Sequence, residues 1–160
     1  MAAIYVETSV WSHVFAEDAP DRRAETMLFL RKAPSMGHAL FISDVVVREI
    51  ARAPRELARR LLRLVDKHAP QVLDFGDEAA RLAERFLELN VVPPSKTEDA
   101  QHVAVAVVNA LDVLVSWNYR HLVNIRRVEA FRHASALCGY YSPPHIVTPP
   151  EVLYEREQGS

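Results

Sequence analysis

The chain reads as an α/β protein, a three-layer α/β/α sandwich around a central, mostly parallel sheet. Three observations predict this. Short β-branched or aromatic runs recur between longer stretches with helical periodicity. The stretch from Val103 to Leu111 is apolar everywhere except Asn109, so both sides of that helix must be covered by other elements. Strands that alternate with helices imply right-handed crossovers, hence parallel pairing with helices on both faces.

Ala2 to Val6 is β-branched and aromatic and reads as a buried strand that ends at Glu7-Thr8-Ser9. Thr8 or Ser9 is the expected cap of a helix through Val10, Trp11, Val14 and Phe15. Asp18 to Asp21 reads as a turn, followed by a helix from Arg22 to Lys32 with Met27, Leu28 and Leu30 as its apolar face. Pro34 to Gly37 breaks that helix and Ala39 to Ile42 forms a second strand. Ser43 or Asp44 then caps a helix from Val45 to Arg52, which carries Glu49 among apolar neighbours.

Pro54 restarts helix, since its missing N–H costs nothing in a first turn. Arg55 to His68 follows, with Leu57, Leu61, Leu62, Leu64 and Val65 inward and Arg52, Arg55, Arg59, Arg60, Arg63 and Lys67 on the other face. That basic face reads equally as a solvated surface or as a phosphate-contacting one. Gln71 to Asp74 is a third strand, and Asp77 to Leu89 an amphipathic helix using Ala80, Leu82, Phe86, Leu87 and Leu89. Val91 to Pro94 connects to the apolar central helix. Ser95 and Glu98 fit a capping box there, so that helix is expected to start near Lys96. Asp112 to Ser116 is a fourth strand, with Trp117 to His121 at its carboxyl end. Asn124 to Leu137 reads as a helix ended near Gly139, His145 to Thr148 as a last strand, and Glu151 to Ser160 as a polar tail. One domain over residues 1–150 is the expected organisation, since 160 residues make a single core.

Composition removes several classes. With 49% hydrophobic and 25% charged residues the chain is an ordinary globular sequence. No apolar run approaches the roughly 20 residues of a membrane span. The N-terminus enters a strand without a basic region and an apolar signal core, and Cys138 is the single cysteine, so a reducing cytoplasm is the expected location. A net charge of −2 leaves a nucleic-acid partner open, because one face can be basic when the whole is not. Zinc-ligand spacings, a GxGxxG turn and a P-loop are absent from the sequence.

The chemistry-bearing residues fall at strand ends. Glu7 ends the first strand, Glu49 lies on the helix after the second, Asp99 opens the central helix and Asn118 follows the fourth strand. In open α/β sheets ligands collect at the carboxyl edge, so these four are expected to converge there. Crowded carboxylates repel and need protons or hard cations, and an oxygen-only donor set selects Mg²⁺ or Mn²⁺ over zinc. Asp99 also gains from its place in a helix's first turn, which by itself explains a carboxylate there.

Four segments resemble the PIN domain family, and within it the VapC-type toxins of toxin–antitoxin pairs. They are Tyr5 to Val10, Ile42 to Ile50, Glu98 to Ala106 and Leu114 to Leu122. The resemblance implies a metal-dependent endoribonuclease, the toxin of a type II pair, with RNA and a cognate antitoxin as partners and a homodimer that places two sites in one basic groove. It places Glu7, Glu49, Asp99 and Asn118 at the family's acidic metal-binding positions. Two of these depart from the pattern, for the family has Asp at the positions of Glu7 and Asn118. The longer Glu7 moves its carboxylate outward by about a bond length, and Asn118 lowers the site charge by one.

By this resemblance Asp99 and Glu7 are direct ligands, Glu49 is a ligand or water-orienting base, and Asn118 is a ligand or a hydrogen bonder to one. Thr8 and Ser9 are supporting candidates for fixing a carboxylate or contacting phosphate, and His102, one turn from Asp99, for orienting it or simply packing. Trp117 is a candidate base stacker or a core residue, and Arg120 and His121 candidate phosphate contacts. Val10, Val14, Phe15 and Leu28 belong either to an interface or to the core. The alternative within the same fold is an RNA- or protein-binding module with weak or no nuclease activity. A phosphatase or receiver-like domain ranks below both, since no acceptor Asp with a partner Lys stands at the strand ends.

Overall fold

The computed structural model describes residues 1–154. A single five-stranded sheet runs through it in the order β3-β2-β1-β4-β5, built from β1 (Ala3–Val6), β2 (Ala39–Ser43), β3 (Gln71–Leu73), β4 (Val113–Val115) and β5 (His145–Val147). Every pairing is parallel, with Tyr5 opposite both Phe41 and Leu114. The sheet is thus wholly rather than mostly parallel. β1 lies at its centre, and Ile4, Tyr5 and Val6 have no exposed surface, as a strand covered on both faces requires.

Among the described residues the helices are α1 (Thr8–His13), α2 (Pro20–Ser35), α3 (Asp44–Ala51), α4 (Arg55–His68), α5 (Asp77–Glu88), α6 (Thr97–Val108), α7 (Ile125–Leu137) and α8 (Pro149–Tyr154). The chain walks outward from β1 to β3, then returns to lay β4 against the other side of β1. Right-handed crossovers therefore put the helices of the two halves on opposite faces. In agreement, α2 packs on α1 and α8, whereas α5 packs on α6 and α7. The point of reversal, between the carboxyl ends of β1 and β4, is where such sheets open a crevice.

α6 fulfils the expectation of a covered helix, with Ala100 and every residue from His102 to Val107 buried. It starts at Thr97, near the expected Lys96, but without the expected cap. A single 3-10 turn, Pro94–Lys96, precedes it, and among the described residues no side chain caps either element. Glu98, expected in a capping box with Ser95, is instead ion-paired with Arg52. A full guanidinium charge outcompetes a backbone N–H for the carboxylate.

α2 starts at Pro20, a residue suited to a first turn, and keeps Pro34 inside its last turn before Gly37 adopts φ 87. Its buried face is Thr26, Phe29, Leu30 and Ala33, while Met27 is 51% exposed. The face expected from Met27, Leu28 and Leu30 is rotated because Thr26 accepts a 2.8 Å bond from the Trp117 indole N–H. Leu62 of α4 and Leu89, just past α5, also turn outward. Residues 151–154, read as the beginning of a polar tail, belong to α8 and bury Val152 against the core. The rest of the expected tail, 155–160, lies outside the described residues. Among the described residues no helix is long and apolar enough to cross a membrane.

Candidate metal centre

β1 delivers Glu7 to the reversal point with 5% of its surface exposed. Its backbone is extended and its long side chain curls back to cap α1, accepting the Ser9 N–H at 2.7 Å. The expected caps, Thr8 and Ser9, are displaced from that task. Ser9 Oγ donates to Glu7 Oε1 at 2.8 Å and accepts the Trp117 N–H at 2.9 Å, and Ser116 Oγ donates to Glu7 at 2.5 Å. Thr8 Oγ1 donates to Glu49 Oε1 at 2.7 Å. The two hydroxyls after β1 thus hold the two glutamates in place.

α3 brings Glu49 to the same point, half-buried, where its Oε1 meets His102 Nε2. His102 is fully buried on α6, and its other ring nitrogen lies 2.6 Å from the Tyr5 phenol, which in turn bonds Ser43 Oγ at 2.8 Å. Full burial would depress the imidazole pKa. The Glu49 bond and the negative charges of Glu7, Glu49 and Asp99 override that and raise it. Burial likewise opposes ionisation of Glu49, but the His102 bond and charge and the Thr8 hydroxyl hold its carboxyl well below the usual range. Glu49 and His102 therefore form a close pair in which the buried Nε2–H donates to the carboxylate. His102 Nδ1, the Tyr5 hydroxyl and Ser43 Oγ continue it as one buried hydrogen-bonded chain.

Asp99 opens the first turn of α6 on the rim of a cleft of about 400 Å³ that it lines with Glu49, Lys96, Glu98 and Asn118. Burial, and then the charge on Glu7, push its carboxyl up to about 6, with Glu49 adding to the effect and His102 and Lys96 opposing it. Asn118 directs its amide N–H at Asp99 Oδ1 over 3.4 Å, while its carbonyl accepts the His121 N–H at 3.0 Å. In this arrangement Asn118 steadies Asp99 and the turn after β4.

One atom each from Glu7, Glu49 and His102 lie within 4.8 Å of one another, and the interactions of Asp99 and Asn118 put them beside this group. All four residues singled out in the sequence therefore meet at one edge. His102 sits closer to the centre than its position one turn from Asp99 implied, and it contacts Glu49 rather than Asp99. Because its Nε2 is committed to Glu49 and its pKa is raised, it serves as a donor to a carboxylate and has no lone pair there for a metal. The remaining donors are Glu7, Glu49 and Asp99, all carboxylate oxygens, the kind a hard dication takes. Burial and then the charge on Glu7 hold Asp99 toward its protonated form, and a dication among the three carboxylates would relieve the repulsion between them, so the residues fit one.

Sequence reasoning missed Tyr5, Ser43 and Ser116. Ser43 and Ser116 carried a signal, since each follows its strand directly at the carboxyl edge. Tyr5 carried none, as an aromatic residue in a strand reads as packing. Trp117 is 5% exposed and belongs to the core. His121 is buried and Arg120 exposed. Val10 and Val14 are core residues, and only Phe15 and Leu28 of the possible interface set are partly accessible.

The PIN domain family matches residues 4–128 of the chain. No curated protein matches it. Two solved structures resemble it in fold. One is VapBC2 from Rickettsia felis bound to a DNA fragment from its promoter, with 13% identity and a TM-score of 0.52, the match covering 74% of this chain and 89% of that one. The other is VapC20 from Mycobacterium tuberculosis, described as a sarcin–ricin loop cleaving toxin, with 17% identity, a TM-score of 0.53 and coverage of 74% and 92%.

Proposed function

The chain belongs to the PIN domain family, and from that premise we propose that it is a metal-dependent endoribonuclease, the toxin of a type II toxin–antitoxin pair. The observation that carries the reading is the meeting of Glu7 and Glu49 at the reversal point of the sheet, with Asp99 lining the same cleft as Glu49 and pushed up to about 6 by burial and the charge on Glu7. Glu7, Glu49 and Asp99 would hold Mg²⁺ or Mn²⁺. Such an ion, when bound, lowers the pKa of a water for in-line attack and offsets charge on the phosphate.

The chain's own residues divide the remaining work. Ser9 and Ser116 fix Glu7, while His102 and Thr8 fix Glu49 with one oxygen engaged. Glu49 keeps a second oxygen with which to orient a water. Asn118 holds Asp99, and Lys96 at the cleft rim supplies a cation for the phosphate. An antitoxin that covers this cleft, and a homodimer that pairs two of them, complete the proposal.

A second reading, an RNA- or protein-binding PIN domain with weak cleavage, draws on the commitment of Glu7 to three hydrogen bonds and on the neutral Asn118. The deciding experiment is cleavage of end-labelled single-stranded and structured RNA in Mg²⁺ and Mn²⁺, beside a chelator control and Asp99→Asn. Cleavage that requires metal and is lost in the variant supports the nuclease. Identical behaviour of wild type and variant across several RNAs would transfer the proposal to the binding reading.

A further inference from the structure

We propose that Tyr119 is a base-stacking platform for an unpaired nucleotide of RNA lying next to the cleft, and that Arg22 and Trp117 pre-set it. This rests on the RNA-directed reading above and names the form in which the strand is held.

The observation is a three-part stack across two elements. The Arg22 guanidinium, from α2, lies 5.1 Å from the Tyr119 ring centroid and 5.3 Å from that of Trp117. The two rings are 6.4 Å apart and inclined at 53°. Trp117 is the fixed member. Its indole N–H bonds Thr26 at 2.8 Å, its ring packs on His13 at 5.7 Å, and its backbone N–H is held by Ser9. Tyr119 is the open member, 46% exposed, although its backbone is tied down. Its N–H reaches the Trp117 carbonyl at 3.0 Å and its own carbonyl takes the Asn124 amide at 2.6 Å.

A tyrosine with a fixed backbone, a guanidinium beside its ring and half its surface in solvent has no role in the core. It resembles the surfaces on which unstacked bases rest, where aromatic faces and arginine planes accept any base. Its place in the chain supplies the connection to the cleft. Trp117 and Tyr119 flank Asn118, the residue that lines the cleft and bonds Asp99. Adjacent residues stand about 3.8 Å apart along the chain, so a strand whose phosphate occupies the cleft passes beside the loop that carries the platform. The positive charge of Arg22 suits a polyanion.

The test uses short RNAs with a single abasic nucleotide moved along the positions flanking the cleaved bond. Wild type should lose affinity at one position, by roughly 5- to 150-fold for one stacked base. Tyr119→Ala should lose as much on intact RNA, appearing in KM with kcat and Mn²⁺ affinity retained, and should be indifferent to the abasic position. Tyr119→Trp should restore the wild-type pattern. Wild-type KM in Tyr119→Ala, or an abasic penalty that persists in it, would overturn the platform and leave the ring to a protein partner. Fluorescence anisotropy with non-cleavable 2′-O-methyl RNA separates this from the fate of the nuclease reading. Tyr119-dependent binding without any cleavage sinks the nuclease and keeps the platform, whereas cleavage with Tyr119-independent binding does the reverse.

Discussion

The Tyr5 phenol and His102 Nδ1 are joined at 2.6 Å in a region where neither residue touches solvent. The bond ties the central strand to the central helix directly beneath the glutamates. It makes the orientation of Glu49 depend on a residue in the middle of the sheet.

Tyr5→Phe keeps the ring and removes the hydroxyl. Two buried groups, His102 Nδ1 and the Ser43 hydroxyl, then lose a partner, at a cost of about 1–3 kcal/mol in unfolding free energy. Urea denaturation measures that loss. Because His102 is no longer held against Glu49 on its far side, Mn²⁺ affinity should fall several-fold in the same protein, and a packing role alone would leave it unchanged.

Asp99→Asn should abolish metal-dependent cleavage and, in chelator, stabilise the fold above pH 6. A carboxyl raised from 3.8 to about 6 on folding favours the native state below 3.8, and that contribution is lost as pH rises through about 6. At neutral pH the ionised group therefore costs up to about 3 kcal/mol, since each tenfold change in proton affinity is worth about 1.4 kcal/mol. Unfolding of both proteins at pH 7.5 and pH 4 should show the variant ahead at the first and level at the second. A variant no more stable at pH 7.5 would mean that burial and the charge on Glu7 do not disfavour the Asp99 carboxylate as placed.

Stabilisation of the wild type by Mg²⁺ or Mn²⁺ should grow between pH 5 and pH 7, because binding must displace the Asp99 proton. Thermal unfolding with and without the ion, across that range, reads this directly. A shift in melting temperature that is flat with pH would remove Asp99 from the ligand set.

Ser9→Ala removes the hydroxyl that links Glu7 to the end of β4. The Trp117 backbone N–H, held at 2.9 Å, is left without its acceptor, and Glu7 loses one of its donors. A loss of about 1–3 kcal/mol is expected, accompanied by weaker metal binding. Ser9→Thr should restore both, since it keeps the hydroxyl.

Much of the architecture was legible because strands and helices advertise themselves by period. All five strands were found within a residue or two, and β1 and β4 stand out as the continuous apolar runs that mark strands covered on both faces. The convergence of the candidate residues was legible for a related reason. Glu7, Asp99 and Asn118 each stand where an element begins or ends, and the topology of a parallel sheet sends such positions to one edge. What failed was local chemistry with a distant competitor. Ser95 and Glu98 have the spacing of a capping box, but Glu98 is taken by Arg52 from another helix. The α2 face was misread because a threonine is buried there by an indole that comes from β4's end.

Periodicity and position along the chain were enough for the class of fold, the order of its elements and the set of carboxylates available for the site. What those groups do to one another came from the packed fold. It made Glu7 a helix cap, paired Glu49 with His102, set Tyr5 behind that pair and pushed Asp99 up to about 6. Hydrogen bonds and charges act over a few ångströms in space, and here the partners stand up to 109 residues apart in the chain. No spacing in the sequence records that proximity.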